Sequence, residues 1–130
     1  MNKLLASTWM LFLKTQTAHW RVSGKEFFSL HKMLQLQYED LFNAIDSIGE
    51  TISMKGGIPI STMSEILKES HVVDALVEKM TSEEIILFLL EANKAVVSLI
   101  ESDPELKSNF GERLSAHTKW QWFFESSKEP

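Results

Sequence analysis

Apolar residues recur along most of the chain at alternating steps of three and four, the spacing that lines one face of an α-helix. No stretch alternates every second residue as a half-buried strand would. Over residues 2–22 the positions Leu5, Trp9, Phe12, Gln16 and His19 keep this spacing, and Ser23-Gly24 then stops the helix. A second helix is predicted over residues 25–54, with a seam of Phe27, His31, Leu34, Tyr38, Leu41, Ile45, Ile48 and Ile52 that ends at Gly56-Gly57. A long connection follows. It contains a short helix over residues 63–69, capped by Ser61 or Thr62. The run Thr81-Ser82-Glu83-Glu84 is a capping box that opens a third long helix through Ile85, Phe88, Leu89, Ala92, Val96 and Leu99. Asp103-Pro104, a cap followed by a first-turn proline, opens a fourth that runs to Trp120, Trp122, Phe123 and Phe124.

Two helical hairpins joined by one long crossover predict an all-α fold, a four-helix bundle with ferritin-like connectivity and a short extra helix in the crossover. At 130 residues the chain is expected to form one domain spanning 1–130, large enough for a real core. A net charge of −5 and the absence of a Lys/Arg cluster argue against DNA as a partner, since phosphate binding needs a basic footprint. With no cysteine, disulfides and thiolate metal sites are excluded. No segment reaches the length of a membrane span. Residues 4–13 after Lys3 imitate a signal-peptide core, but no small-residue cleavage site follows, so a cytoplasmic protein is expected.

Four histidines are present, and two of them, in "AHWRVSGKEFFSLH" at residues 18–31, lie among aromatic and aliphatic residues. Gly24 turns the chain between His19 and His31, so antiparallel helices bring the two rings to nearly the same level. Further along the second helix Asp46 and Glu50, four apart, project from one face. Imidazoles and carboxylates without thiolates suit iron or manganese. His31 and Asp46 are nevertheless 15 residues apart, roughly 22 Å along a helix at ~1.5 Å per residue, so one metal cannot touch both in a single chain. Measured around the helix from Ile45, His31 lies at about 40°, Asp46 at about 100° and Glu50 at about 140°, all flanking the seam on one side. An antiparallel copy related by a two-fold axis would set one chain's histidines against the other's carboxylates, giving two shared sites. A site inside one bundle would need Glu-x-x-His pairs, and none occurs. His117 is expected to be structural and His71 a surface residue.

The stretches "HWRVSGKEFFSLH", "DSIGE" and "GGIPISTMSEIL", with Tyr38 between the first two, resemble the Dps miniferritins, the DNA-protection-during-starvation proteins. The similarity is strongest over residues 18–70 and weaker at "AHTKWQWFF". It implies a ferroxidase centre that binds Fe2+ and yields Fe3+. His19 and His31 of one subunit would meet Asp46 and Glu50 of its two-fold mate inside a dodecameric iron-storing shell. It also implies Trp20 beside the centre, where it could intercept stray oxidising equivalents. The chain departs from the family in several places. Gln35 stands where an acidic residue four after the second histidine is common, and an amide is the poorer ligand. Thr51 replaces a usual arginine, and the N-terminal arm is short and without a basic tail. The acidic pore that would admit ions can draw on Asp103 and Glu105, but Lys107 intrudes. The implied activity is iron oxidation and storage with peroxide or O2 as oxidant. The alternatives are a DNA-compacting nucleoid protein and a degenerate shell with weak metal binding.

Overall fold

The computed structural model describes residues 1–75 and 80–130, and the last part of the crossover, 76–79, lies outside them. The described residues form six helices: α1 (Asn2–Arg21), α2 (Phe27–Met54), α3 (Met63–Glu69), α4 (Ser82–Glu101), α5 (Pro104–Asn109) and α6 (Gly111–Ser127). Helix α1 packs on α2 and α4 on α6, and the crossover bearing α3 runs back along α1. This is the ferritin-like bundle expected from the pattern.

Local chemistry accounts for each boundary. Gly24, at φ +99°, takes the left-handed backbone that closes the α1/α2 turn. Helix α2 ends in a Schellman motif, with Gly57 N–H donating to the Ile52 carbonyl and Gly56 N–H, at φ +83°, to that of Ser53. Thr62 caps α3, and Thr81 with Glu84 completes the capping box of α4; such a cap is worth about 1 kcal/mol. Three contacts hold the crossover against α1. The Asn2 amide pairs with Ile58 O and Ile60 N, Ser7 Oγ accepts from His71 N–H, and Lys14 pairs with Asp74.

Two expectations about the helices need correction. The fourth helix is not continuous. Its chain breaks at Phe110, where φ −130° and ψ 38° leave helical space, and the deeply buried Phe110 ring separates α5 from α6. The core face of α2 is also rotated from the expected seam: Leu30, Leu34, Gln37, Leu41, Ala44, Ile48 and Ile52 are buried, whereas Phe27 is exposed and His31, Tyr38 and Ile45 are half-buried. On α1 the same shift puts Leu4, Leu11 and Ala18 in the core and leaves Trp9, Phe12 and Gln16 half-buried. The face carrying the histidines is therefore the flank of the α1/α2 hairpin.

Where Gln37 enters the bundle, a polar network replaces apolar packing. Asp40 receives a bidentate pair from Arg113 at 2.9 and 3.0 Å and a third bond from Trp120 Nε1 at 3.1 Å. Arg113 also donates to His117 Nε2, which must then be bare, so His117 carries its proton on Nδ1 and donates it to Asn93 Oδ1. Gln37 donates to the same oxygen, and Asn93 returns a bond to the Leu89 carbonyl. Burial, reinforced by the Arg113 charge, depresses the His117 pKa to about 3 against the weaker opposing pull of Asp40. For Asp40 burial pushes upward, but the hydrogen bond and charge of Arg113, with the Trp120 bond, bring its pKa below the ordinary value.

Acid stability follows from these two groups. Between the ordinary histidine value of 6.5 and the folded value of about 3, the unfolded chain takes up a proton at residue 117 that the folded chain refuses. Folding free energy should therefore fall by as much as ~1.4 kcal/mol per pH unit over this window. The stabilisation from Asp40 is present above its ordinary pKa of 3.8 and is lost below it. Denaturant unfolding of the His117→Gln variant is expected to show a flatter acid limb between about pH 6 and pH 4 than the parent. Equal slopes would remove His117 as the source.

Candidate metal centre

His19 sits in the last turn of α1 and His31 in the second turn of α2, on either side of the Gly24 turn. Their backbones and side chains are tied reciprocally. His19 Nδ1 lies 2.8 Å from the His31 carbonyl oxygen, and His31 Nδ1 lies 2.8 Å from that of His19. A carbonyl only accepts, so each Nδ1 must be the protonated nitrogen. Both rings are thereby held in one tautomer, leaving the two Nε2 lone pairs for a ligand, which is the arrangement metal-binding imidazoles require. The His19 carbonyl belongs to the last turn of α1, where helical partners run out, so the His31 bond also caps that helix.

Aromatic packing fixes the ring planes. The imidazoles stack at 3.6 Å between centroids and 16° between planes. Phe27 stacks on the outer side of His31 at 4.7 Å, and Tyr38 presents its edge to His19 at 5.1 Å. His19 is buried and His31 half-buried. Trp20, next to His19 in sequence, is 67% exposed in the single chain.

Asp46 and Glu50 line a cavity of about 490 Å³ together with Leu5, Trp9, Ile45 and Pro59. Both carboxylates are exposed. A hydrogen bond with Asp46, followed by its charge, raises the Glu50 pKa above the ordinary value. Two carboxylates this close attract a cation. They are not joined to the histidines within one chain, and among the described residues no three His, Cys, Asp or Glu side chains cluster tightly enough to hold a metal.

The remaining residues are placed as follows. Gln35 is exposed, and its Nε2 donates to Glu39 Oε1 at 3.0 Å. Asp103 spends a carboxylate oxygen capping α5 through Glu105 N–H and Leu106 N–H, while Glu105 and Lys107 are exposed. His71 is exposed and His117 fully buried. Sequence reasoning missed the Gln37–Asn93–His117 network. Its signal was present: Gln37 falls three after Leu34 and four before Leu41, and Asn93 four after Leu89 and three before Val96, so both occupy apolar stripes.

Comparison with known proteins accords with this architecture. Residues 1–127 match the family model of the ferritin-like domain. DNA protection during starvation protein 2 of Bacillus anthracis is 32% identical over 117 residues, covering 84% of this chain and 80% of that protein. The crystal structure of Dps from Staphylococcus aureus superposes with a TM-score of 0.89 at 25% identity, covering 99% of this chain and 92% of the other. Dps from Vibrio cholerae O1, described as a member of a broad superfamily of ferritin-like diiron-carboxylate proteins, gives 0.76 at 24% identity, over 96% and 79%. The chain belongs to the ferritin-like family and, within it, to the Dps proteins.

Proposed function

We propose that this protein oxidises and stores iron in a homo-oligomeric shell, with each ferroxidase centre built at a two-fold interface. Nε2 of His19 and His31 in one subunit and the carboxylates of Asp46 and Glu50 in a second copy bind Fe2+ as substrate. The observation that carries this reading is the reciprocal histidine pair, which presents two nitrogen lone pairs at the hairpin flank while both Nδ1 protons are spent on backbone carbonyls. The complementary half is the Asp46/Glu50 pair on the same flank of α2. A two-fold copy running antiparallel brings the halves together, whereas among the described residues of a single chain no such cluster forms.

In this mechanism the protein contributes position and charge. The imidazoles present Nε2 toward Fe2+, and the paired carboxylates lower the cost of bringing a dication to a partly dry interface. Each Fe2+ gives one electron; hydrogen peroxide accepts two and leaves as water, so two ions are consumed per peroxide. The ferric product hydrolyses and is retained inside the shell. Holding the ions and oxidant together replaces a diffusive encounter with a local one. In this reading the acids near the start of α5, Asp103 and Glu105, draw cations toward the interior.

DNA is not the partner in this reading. The 130-residue chain carries a net charge of −5, and phosphate binding is driven by clustered cations. In gel-shift experiments at about 150 mM salt, where the Debye length is ~8 Å, no retarded complex is expected; a stable one would overturn this statement.

The shared site is tested by complementation. His31→Ala and Asp46→Ala should each cut peroxide-driven Fe2+ oxidation by at least about ten-fold, since every site loses a ligand. Refolding the two variants together should restore part of the activity. Of the two sites in a mixed dimer, one combines intact histidines with intact carboxylates, and the other has lost both. Mixed assemblies as inactive as their parents would show that the two halves do not meet.

A further inference from the structure

His31, Gln35 and Glu39 follow one another at i, i+4 and i+8, so they form one stripe along α2. Long side chains on a helix lean toward its N-terminus, which tips Glu39 over Gln35 and Gln35 toward His31. The Gln35 Nε2 to Glu39 Oε1 bond of 3.0 Å settles which way the amide faces, because a carboxylate offers no proton and only the NH2 end can meet it. With the NH2 end held by Glu39, the carbonyl oxygen is the end of the amide left for another partner. Binding the NH2 to an anion also polarises the amide and enriches its oxygen in negative charge.

We infer that Glu39 is a positioning residue that turns and polarises the Gln35 carbonyl oxygen toward the histidine pair, so that an amide backed by a carboxylate supplies an oxygen ligand to the bound dication. The inference rests on His19 and His31 being metal ligands. Glu39 itself is too far to bind that ion: eight residues separate it from His31, or about 12 Å of helix. Its action must pass through Gln35. The pair thereby occupies the place of the acidic residue that the family commonly has four after its second histidine, with the negative charge set back by one turn.

Co2+ is the probe, because it is not oxidised under the assay conditions and its visible d–d absorption reports on its ligands. Titrations use assembled protein, with assembly size confirmed for every variant. Glu39→Ala is expected to weaken Co2+ binding by about ten-fold, the low end of what residues behind a metal ligand contribute, and to shift the d–d bands as Gln35→Ala does. Glu39→Gln, which can still accept from the Gln35 NH2, should lose less. The double variant Gln35→Ala with Glu39→Ala should bind no more weakly than Gln35→Ala alone. Unchanged affinity in Glu39→Ala, or independent losses that add in the double variant, would overturn the inference. His31→Ala separates this from failure of the site itself: it should abolish the spectrum, and parental affinity there would remove the histidines as ligands whatever Glu39 does.

Discussion

The separation between the histidine pair and the carboxylate pair along one rigid helix is the constraint from which the functional architecture follows. A helix cannot fold back on itself, so the ~22 Å between His31 and Asp46 is a fixed distance that no side-chain movement closes. Under the proposed function each chain thus carries two half-sites. The partially buried aromatic flank of the α1/α2 hairpin, with Trp9, Phe12 and Tyr38 between those halves, has the character of a surface intended for burial against another subunit. Under the proposed function catalysis and assembly would be one property: the surface that joins the copies would also complete the chemistry.

The bundle interior solves a separate problem. Ferritin-like bundles can place ligands on facing helices at their centre, but here the corresponding polar side chains bond mainly to one another, with Gln37 Oε1 and Arg113 Nε buried without a hydrogen-bond partner among the described residues. Arg113 is spent on Asp40 and His117, and His117 is spent on Asn93. A histidine held neutral by burial and a flanking guanidinium still has both nitrogens engaged, so it offers no lone pair to a cation. The network fixes the register of α2 against α4 and α6, and of the histidines within the helices, the two that remain chemically open are those at the hairpin end.

Sequence pattern carried the helices, the capping box of α4, the glycine stops and the separation of the histidine and carboxylate pairs, because those depend on local spacing. It carried less where three-dimensional packing decides. The break at Phe110 has no proline to announce it, and the periodicity of the fourth segment reads through. The expected seam of α2 holds at Leu34, Leu41, Ile48 and Ile52, which are buried, but it also takes in His31, Tyr38 and Ile45, which lie half-buried on the flank because their residue types look as apolar as a core face. Gln37 lies on the stripe of Leu34 and Leu41, but its residue type reads as a surface amide, so its place in the core shows only in the packing. The tautomers of His19 and His31 could not be read from sequence at all, because they depend on two carbonyls meeting two rings across the turn.

The two layers of this molecule differ in how far along the chain their contacts reach. The histidine rings bond across 12 residues, whereas the bonds from Arg113 and Trp120 to Asp40 span 73 and 80. Closing the shorter loop costs less chain entropy, and local contacts form sooner in folding. The histidine half-site therefore belongs to the part of the chain that can organise first, while it is still being synthesised, before α6 exists to lock the bundle. In the proposed shared site its carboxylate counterpart would come from a second finished subunit, which would place metal competence at the last step of assembly and keep partially folded chains from holding reactive iron.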